Sequence, residues 1–301
     1  SGTGTTTLLA SNGGTIGLGA GAGAFSIDDG ELGRITAGNL TVGDNTNGSI
    51  TVDGVTATNI TGTTTLNATK TGSKATFNNN STFNALTVNA DDDVTVSGNL
   101  STGNNALSIK GKDMILTGSL DSGTGTTTLL ASNDGTIGLG ATAGGLTVDG
   151  GELQKITAGN LVVGDATNGD ITVDGITALN SAKITGTTML NATKSTSNVT
   201  FANASTFGGP VSLNAGANAT VVTNDALTLA SSTIGGTLTV NVAGGNGLIV
   251  SGNQTVGGPI TMTAGNDITL TGGLFTSSAS ASAVTLSAGG GIFDGDLTGD
   301  L

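Results

Sequence analysis

Ser1-Gly-Thr-Gly-Thr-Thr-Thr-Leu-Leu-Ala-Ser-Asn12 returns unchanged as Ser122 to Asn133. The match continues over most of a unit of about 120 residues, and pulses of roughly 20 residues run inside it. A short period nested in a long one marks a repeat architecture, in which units stack and function lies in length and surface rather than in one pocket. The long repeats are read as 1–121 and 122–275, with a partial third from 276.

The short period reads as strands. Leu40-Thr-Val42, Ile50-Thr-Val52, Leu86-Thr-Val88, Val94-Thr-Val96 and Leu107-Ser-Ile109 alternate an apolar residue with a hydroxyl residue. The apolar side chains then face in and Thr or Ser faces out, as a period of two requires. Gly-Asp, Asn-Gly, Asp-Gly and Ser-Gly steps between the runs are turn chemistry. No stretch keeps a 3.6-residue period. The expected fold is all-β: a right-handed parallel β-helix (β-solenoid) of about fifteen coils, each of about 20 residues. Residues 1–301 are expected to be a single β-solenoid segment of a longer chain. Each coil buries a few aliphatic side chains at roughly 1.5–3 kcal/mol apiece, so a stack folds where one coil cannot.

Aligning the long repeats separates constant from variable positions. Gly30 to Gly54 matches Gly151 to Gly175 without a gap, and Phe77 and Phe83 correspond to Phe201 and Phe207. Between these blocks the second copy gains Ser181-Ala182-Lys183, which reads as a turn insertion that neighbouring coils absorb. About thirty further residues precede Asp267-Ile-Thr-Leu-Thr-Gly-Gly-Leu274, the echo of Asp113 to Leu120, and predict one or more added coils.

Composition excludes several chemistries. Cysteine and histidine are absent, so no disulfide, zinc site or Cys/His catalytic pair can form. The net charge is −13 and Arg34 is the only arginine, which argues against a nucleic-acid partner. No apolar run approaches the roughly 18 residues of a membrane-spanning segment. Seven phenylalanines are the only aromatic residues, so the core is expected to be narrow.

Asp91-Asp92-Asp93 is the densest carboxylate cluster; close aspartates can serve as acid and base when one carboxyl is raised in pKa beside an ionised one. No Lys or Arg lies nearby in sequence, and the second copy has Gly216-Ala217-Asn218 instead, so a solvated turn is the preferred reading. Asp28, Asp29, Asp44, Asp53, Asp165 and Asp174 offer oxygens that suit calcium. The preferred explanation is that aspartate tolerates left-handed turn geometry. Gly244-Gly245-Asn246-Gly247-Leu248-Ile249 places Ile where a calcium-binding nonapeptide needs its ligand. Gly17-Leu-Gly-Ala-Gly-Ala-Gly23 lacks the dinucleotide spacing and reads as a flexible turn or tight corner. Asn39, Asn59, Asn67, Asn191, Asn203 and Asn218 head Asn-x-Ser/Thr sequons, about as many as chance predicts. Threonine runs such as Thr5-Thr-Thr7 and Thr63-Thr-Thr65 raise ice binding, although Asn, Lys and Ala interrupt them. No catalytic, cofactor-binding or metal residues are assigned.

Ala283-Val-Thr-Leu-Ser-Ala-Gly-Gly-Gly-Ile292, Gly295-Asp-Leu-Thr-Gly-Asp-Leu301 and the many Leu-Thr-Val and Asn-Ala-Gly steps resemble the coils of filamentous-haemagglutinin-like exoproteins. These are large bacterial adhesins secreted by the two-partner pathway. The resemblance implies a secreted protein of the bacterial cell surface, a structural and adhesive repeat region without enzymatic activity. Its partners would be other cells or surface glycans and proteins, and an outer-membrane secretion partner for the parent chain. The alternatives are a carbohydrate-active β-helix enzyme and a carbohydrate- or ice-binding module.

Overall fold

The computed structural model describes residues 2–56 and 59–295. They form an all-β parallel β-solenoid of about 12 turns with ~22 residues per coil and almost no helix. The turns are fewer than fifteen because the opening coil of each long copy is lengthened. Ile16 pairs with Ile50 and Ile137 with Ile171, whereas Leu86 pairs with Leu107. Asp296 to Leu301, in the stretch that carries the resemblance, lie outside the described residues.

The chain divides into two compact units, Ser1–Gly135 with Lys155–Leu161, and Thr136–Gln154 with Val162–Leu301. In the first, one face stacks Thr5–Leu8, Asn39–Val42, Thr63–Ala68, Ala85–Ala90, Leu107–Gly111 and Thr126–Ala131 as parallel rungs. A second face stacks Ile16–Gly19, Ile50–Asp53, Ala75–Phe77, Val94–Val96 and Met114–Leu116. Short strands from Ser81–Thr82 to Ile156–Thr157 make a third. In the second unit one face runs from Ile137–Gly140 through Ile171–Asp174, Val199–Phe201, Ala219–Thr223, Leu238–Val242 and Ile260–Ala264 to Val284–Ala288. The extra residues of the second copy supply further rungs: Leu227–Leu229 pairs with Leu248–Val250, which pairs with Ile268–Leu270.

Alternation places the core. Val42, Leu66, Val88, Ile109 and Leu129 form one inward column, each at most 2% exposed. Phe77 and Phe201 are buried at equivalent rungs, and Phe201 meets Phe207 edge-on with ring centroids 6.2 Å apart. In-register stacking makes every inward residue touch its counterpart one coil away, so the pattern need only repeat to bury itself.

The glycine-rich run resolves into something more specific than a flexible turn. After Ile16–Gly19 the chain doubles back and lays Phe25–Ile27 beside it in parallel, with Ile16 opposite Phe25. Such a pairing ordinarily needs a crossover of a dozen residues or more. A Cβ on Gly17 would overlap the Gly21 carbonyl, and one on Gly23 would overlap the Gly17 amide nitrogen. The return is therefore possible only with glycine at both positions. The second copy repeats it: Ile137 pairs with Leu146, and Gly138 and Gly144 stand where Gly17 and Gly23 do.

Each return leads into a one-turn helix, Asp29–Leu32 or Gly150–Leu153, that the periodicity of the sequence did not reveal. Asp28 accepts from the Glu31 amide at 2.8 Å and Glu31 accepts from the Asp28 amide at 3.1 Å; Asp149 and Glu152 do the same. This reciprocal cap satisfies amide donors that so short a helix would otherwise leave free. The Asp-x-x-Glu spacing was the available signal.

Candidate functional site

Asp91, Asp92 and Asp93 form the corner between Ala85–Ala90 and Val94–Val96. The rung below begins at Ala75, opposite Val94, which brings Lys74 under Asp93. Lys74 Nζ donates to Asp93 Oδ2 at 2.7 Å and lies 3.4 Å from Asp92 Oδ2; Lys112 Nζ lies 3.7 Å from Asp92 Oδ1. These lysines escaped the sequence reading because they are near only across coils. Lys74 and Asp93 are 19 residues apart, about one coil, so the repeat period was the signal that could have found them.

At Asp92 the surrounding charges run against a catalytic acid. Partial desolvation pushes the Asp92 carboxyl up, but the hydrogen bond and charge of Lys74, with the charge of Lys112, hold it below the ordinary aspartate range. The hydrogen bond to Asp93, then the charge of Asp93, raises Lys74. A catalytic acid needs a shift in the other direction. Asp91 is engaged separately, accepting from the Gly72 amide at 2.8 Å and from Asn133 Nδ2 at 3.3 Å.

The turn aspartates are hydrogen-bond acceptors, and left-handed tolerance does not explain them. None of the six has a positive φ; Gly43, Gly54, Gly164 and Gly175, next to Asp44, Asp53, Asp165 and Asp174, adopt that geometry instead. Asp28 caps its helix, and Asp29 accepts from the amide and hydroxyl of Thr56. Asp44 accepts from the Thr46 hydroxyl and amide, both at 2.7 Å, and from the Asn47 amide. Chiefly the Thr46 hydroxyl bond, then the Thr46 amide, lowers its pKa against a smaller opposing desolvation. Asp165 repeats the turn with Thr167 and Asn168. Asp53 and Asp174 accept from Asn79 and Asn203 one coil on. Among the described residues no group of three or more acidic side chains is arranged to hold a metal ion.

The sequon asparagines are likewise occupied. Asn59, Asn203 and Asn218 donate their side-chain amides to the Gly33 carbonyl, Asp174 and Asn198. Asn67 and Asn191 accept from Asn89 and Asn214 in coil-to-coil ladders, and Asn39 accepts from the Thr63 amide. Gly244 and Gly245, in the nonapeptide-like run, are left-handed turn residues.

The threonine runs change meaning once stacked. Along the chain they are interrupted; across coils the hydroxyls are continuous. Thr7, Thr41, Thr65, Thr87, Ser108 and Thr128 form one outward column in the first unit. Thr172, Thr200, Thr220, Thr239, Thr261 and Thr285 form another in the second. Rungs spaced about 4.8 Å apart carry these hydroxyls in a line.

No family model, curated protein or solved structure matches this chain.

Proposed function

We propose that this chain is a structural and adhesive repeat region of a secreted bacterial surface fibre, of the filamentous-haemagglutinin-like kind, exported by two-partner secretion. It would attach cells to other cells or to surface glycans and proteins. The observation that carries the reading is the outward hydroxyl column in each unit: the surface repeats with the coil, as a fibre that presents area requires. The Asp92 carboxyl, held low by lysines, supports a non-enzymatic role over a polysaccharide-cleaving one. The test is attachment. Beads coated with the 301-residue chain should retain bacterial or host cells above beads coated with an unrelated acidic protein. Equal retention on both would overturn the reading.

The threonine columns also favour a second reading, a module that binds ice or another regular lattice. Thermal hysteresis measured with the same chain, lost in Thr220→Lys with Thr239→Lys, would support it over adhesion.

A further inference from the structure

Lys110 differs from Lys74 and Lys112, the lysines of the aspartate corner. It lies on the outer face of Leu107–Gly111, in register with Asn89 on the preceding rung. Lys74 and Lys112 are neutralised by Asp92 and Asp93, whereas Lys110 makes no ion pair among the described residues. Its side chain lines a cleft of ≈ 290 Å³ together with Asn89, Asp91, Thr69, Ser132 and Asn133. That volume lies just below the roughly 300–1,000 Å³ common for small-molecule sites, enough for one sugar ring.

The far wall of the cleft is held in place. Ser132 Oγ donates to the Asp91 carbonyl at 2.9 Å, and Asn133 Nδ2 reaches both that carbonyl and Asp91 Oδ1 at 3.3 Å. Asn133 and Asp134 are consecutive non-glycine residues with left-handed backbones, φ 54° and 56°. That conformation is sparsely populated and persists where surroundings fix it. The first copy has Asn12-Gly13 at this point, so the second residue of the pair has exchanged a permissive glycine for aspartate.

The lining combines a lysine without an ion pair, a carboxylate held by the Gly72 amide and Asn133, further hydroxyls and amides, and no aromatic ring. A complementary ligand carries one negative charge for Lys110 and several hydroxyl donors for Asp91 and Asn89. We infer that this cleft binds an acidic sugar residue, a uronic acid within an otherwise neutral glycan, with its carboxylate on Lys110. The net charge of −13 disfavours densely charged polyanions through long-range repulsion, while a single uronate is attracted locally. The repeat supplies an internal contrast. Where the first copy has Asp91 and Leu107-Ser-Ile-Lys110, the second has Gly216 and Leu227-Thr-Leu-Ala230, so the two charged groups belong to one copy only, while Asn89 recurs as Asn214.

This inference deepens the adhesive reading and rests on it for its biological setting, but the test separates the two. The chain is titrated with xylotriose bearing one glucuronate, followed by NMR shifts of the Lys110, Asn89 and Asn133 signals. Saturable shifts are expected, weakened about tenfold or more in Lys110→Gln, since a bond to a charged group is lost. The Lys110 side chain makes no hydrogen bond or ion pair among the described residues, and Gln preserves the strand backbone and most of the aliphatic stem, so this variant keeps the fold. The glucuronate methyl ester, which removes the charge at the cost of one added methyl, should bind wild type about as weakly as the acid binds Lys110→Gln. Equal binding of acid and ester, or no shift at these residues at millimolar sugar, would overturn the site. If coated beads still retain cells in that case, adhesion stands without this cleft.

Discussion

Lys74 and Asp93 in the first unit hold the same position as Asn198 and Asn218 in the second, one residue ahead of a parallel rung. In the second unit the position makes a continuous ladder. Asp170 accepts from the Asn198 amide at 2.8 Å, Asn198 from the Asn218 amide at 3.1 Å, and Asn218 from the amide and hydroxyl of Thr237 at 2.8 and 2.9 Å. In the first unit Ser49 accepts from the Lys74 amide, but a lysine has no oxygen to pass on, and the next step is an ion pair between side-chain ends. One position thus tolerates two chemistries because the inward residue beside it, Val94 or Ala219, does the packing. The scaffold fixes what points in and leaves what points out free to vary.

The comparison breaks first if the two cores differ. Phe77→Ala and Phe201→Ala should each cost about 3–5 kcal/mol through lost contacts and an unfilled cavity. Loss of the Phe207 edge contact should make the second cost greater by about 0.5–1.5 kcal/mol. Denaturant unfolding followed by unit-resolved hydrogen exchange would measure both, since a stacked repeat need not unfold in one step. A threefold difference between the two would refute a shared scaffold.

Asn218→Ala removes the acceptor of two hydrogen bonds and should cost about 1–3 kcal/mol, read from faster exchange of the Thr237 amide. Asp93→Ala should cost less, because it breaks a half-exposed ion pair. The reverse order would show that the charged column bears more of the load. Asp28→Ala and Asp149→Ala should each cost about 1 kcal/mol, and their near equality would confirm that the two caps are interchangeable.

The smallest effect is in pH. The Asp92 carboxyl is depressed when folded, so its contribution is present above the ordinary value of 3.8 and is lost as pH falls through the lower folded value. Lys74 is raised, so its contribution is present below 10.5 and is lost as pH rises through the higher folded value. Protection of the amides near Lys74, corrected for the intrinsic pH dependence of exchange, should therefore be flat from about pH 4 to 10 and fall outside it. Amides at Asn218 and Thr237 should lack that local response, and added salt should loosen only the charged corner. Matching profiles in both units would show that the ion pairs add nothing.

The fold was legible because its information is local: Leu-Thr-Val is enough to set which residues turn inward, and the turns fall between. The threonine columns, the lysine–aspartate contacts and the acceptor roles of Asp29, Asp53 and Asp174 were not, since each joins residues one coil apart. Reading Thr63-Thr-Thr65 along the chain shows an interrupted run, although Thr65 belongs to an unbroken column. Lys74 looked remote from Asp93 for the same reason. Lys110 was hidden twice, being distant in sequence from Asp91 and more distant still from Asn133. The one-turn helices were too short for any periodicity to register.

The doubled-back strand at the start of each copy sets a rule for growth. Phe25–Ile27 and Leu146–Val148 each occupy the last place in their sheet, with only three residues on the edge. A copy thereby brings its own punctuation, and a short terminal strand is a poor template for stray pairing. Lengthening such a chain by whole copies adds a full stop with every sentence, whereas inserting a bare coil extends the sentence already begun.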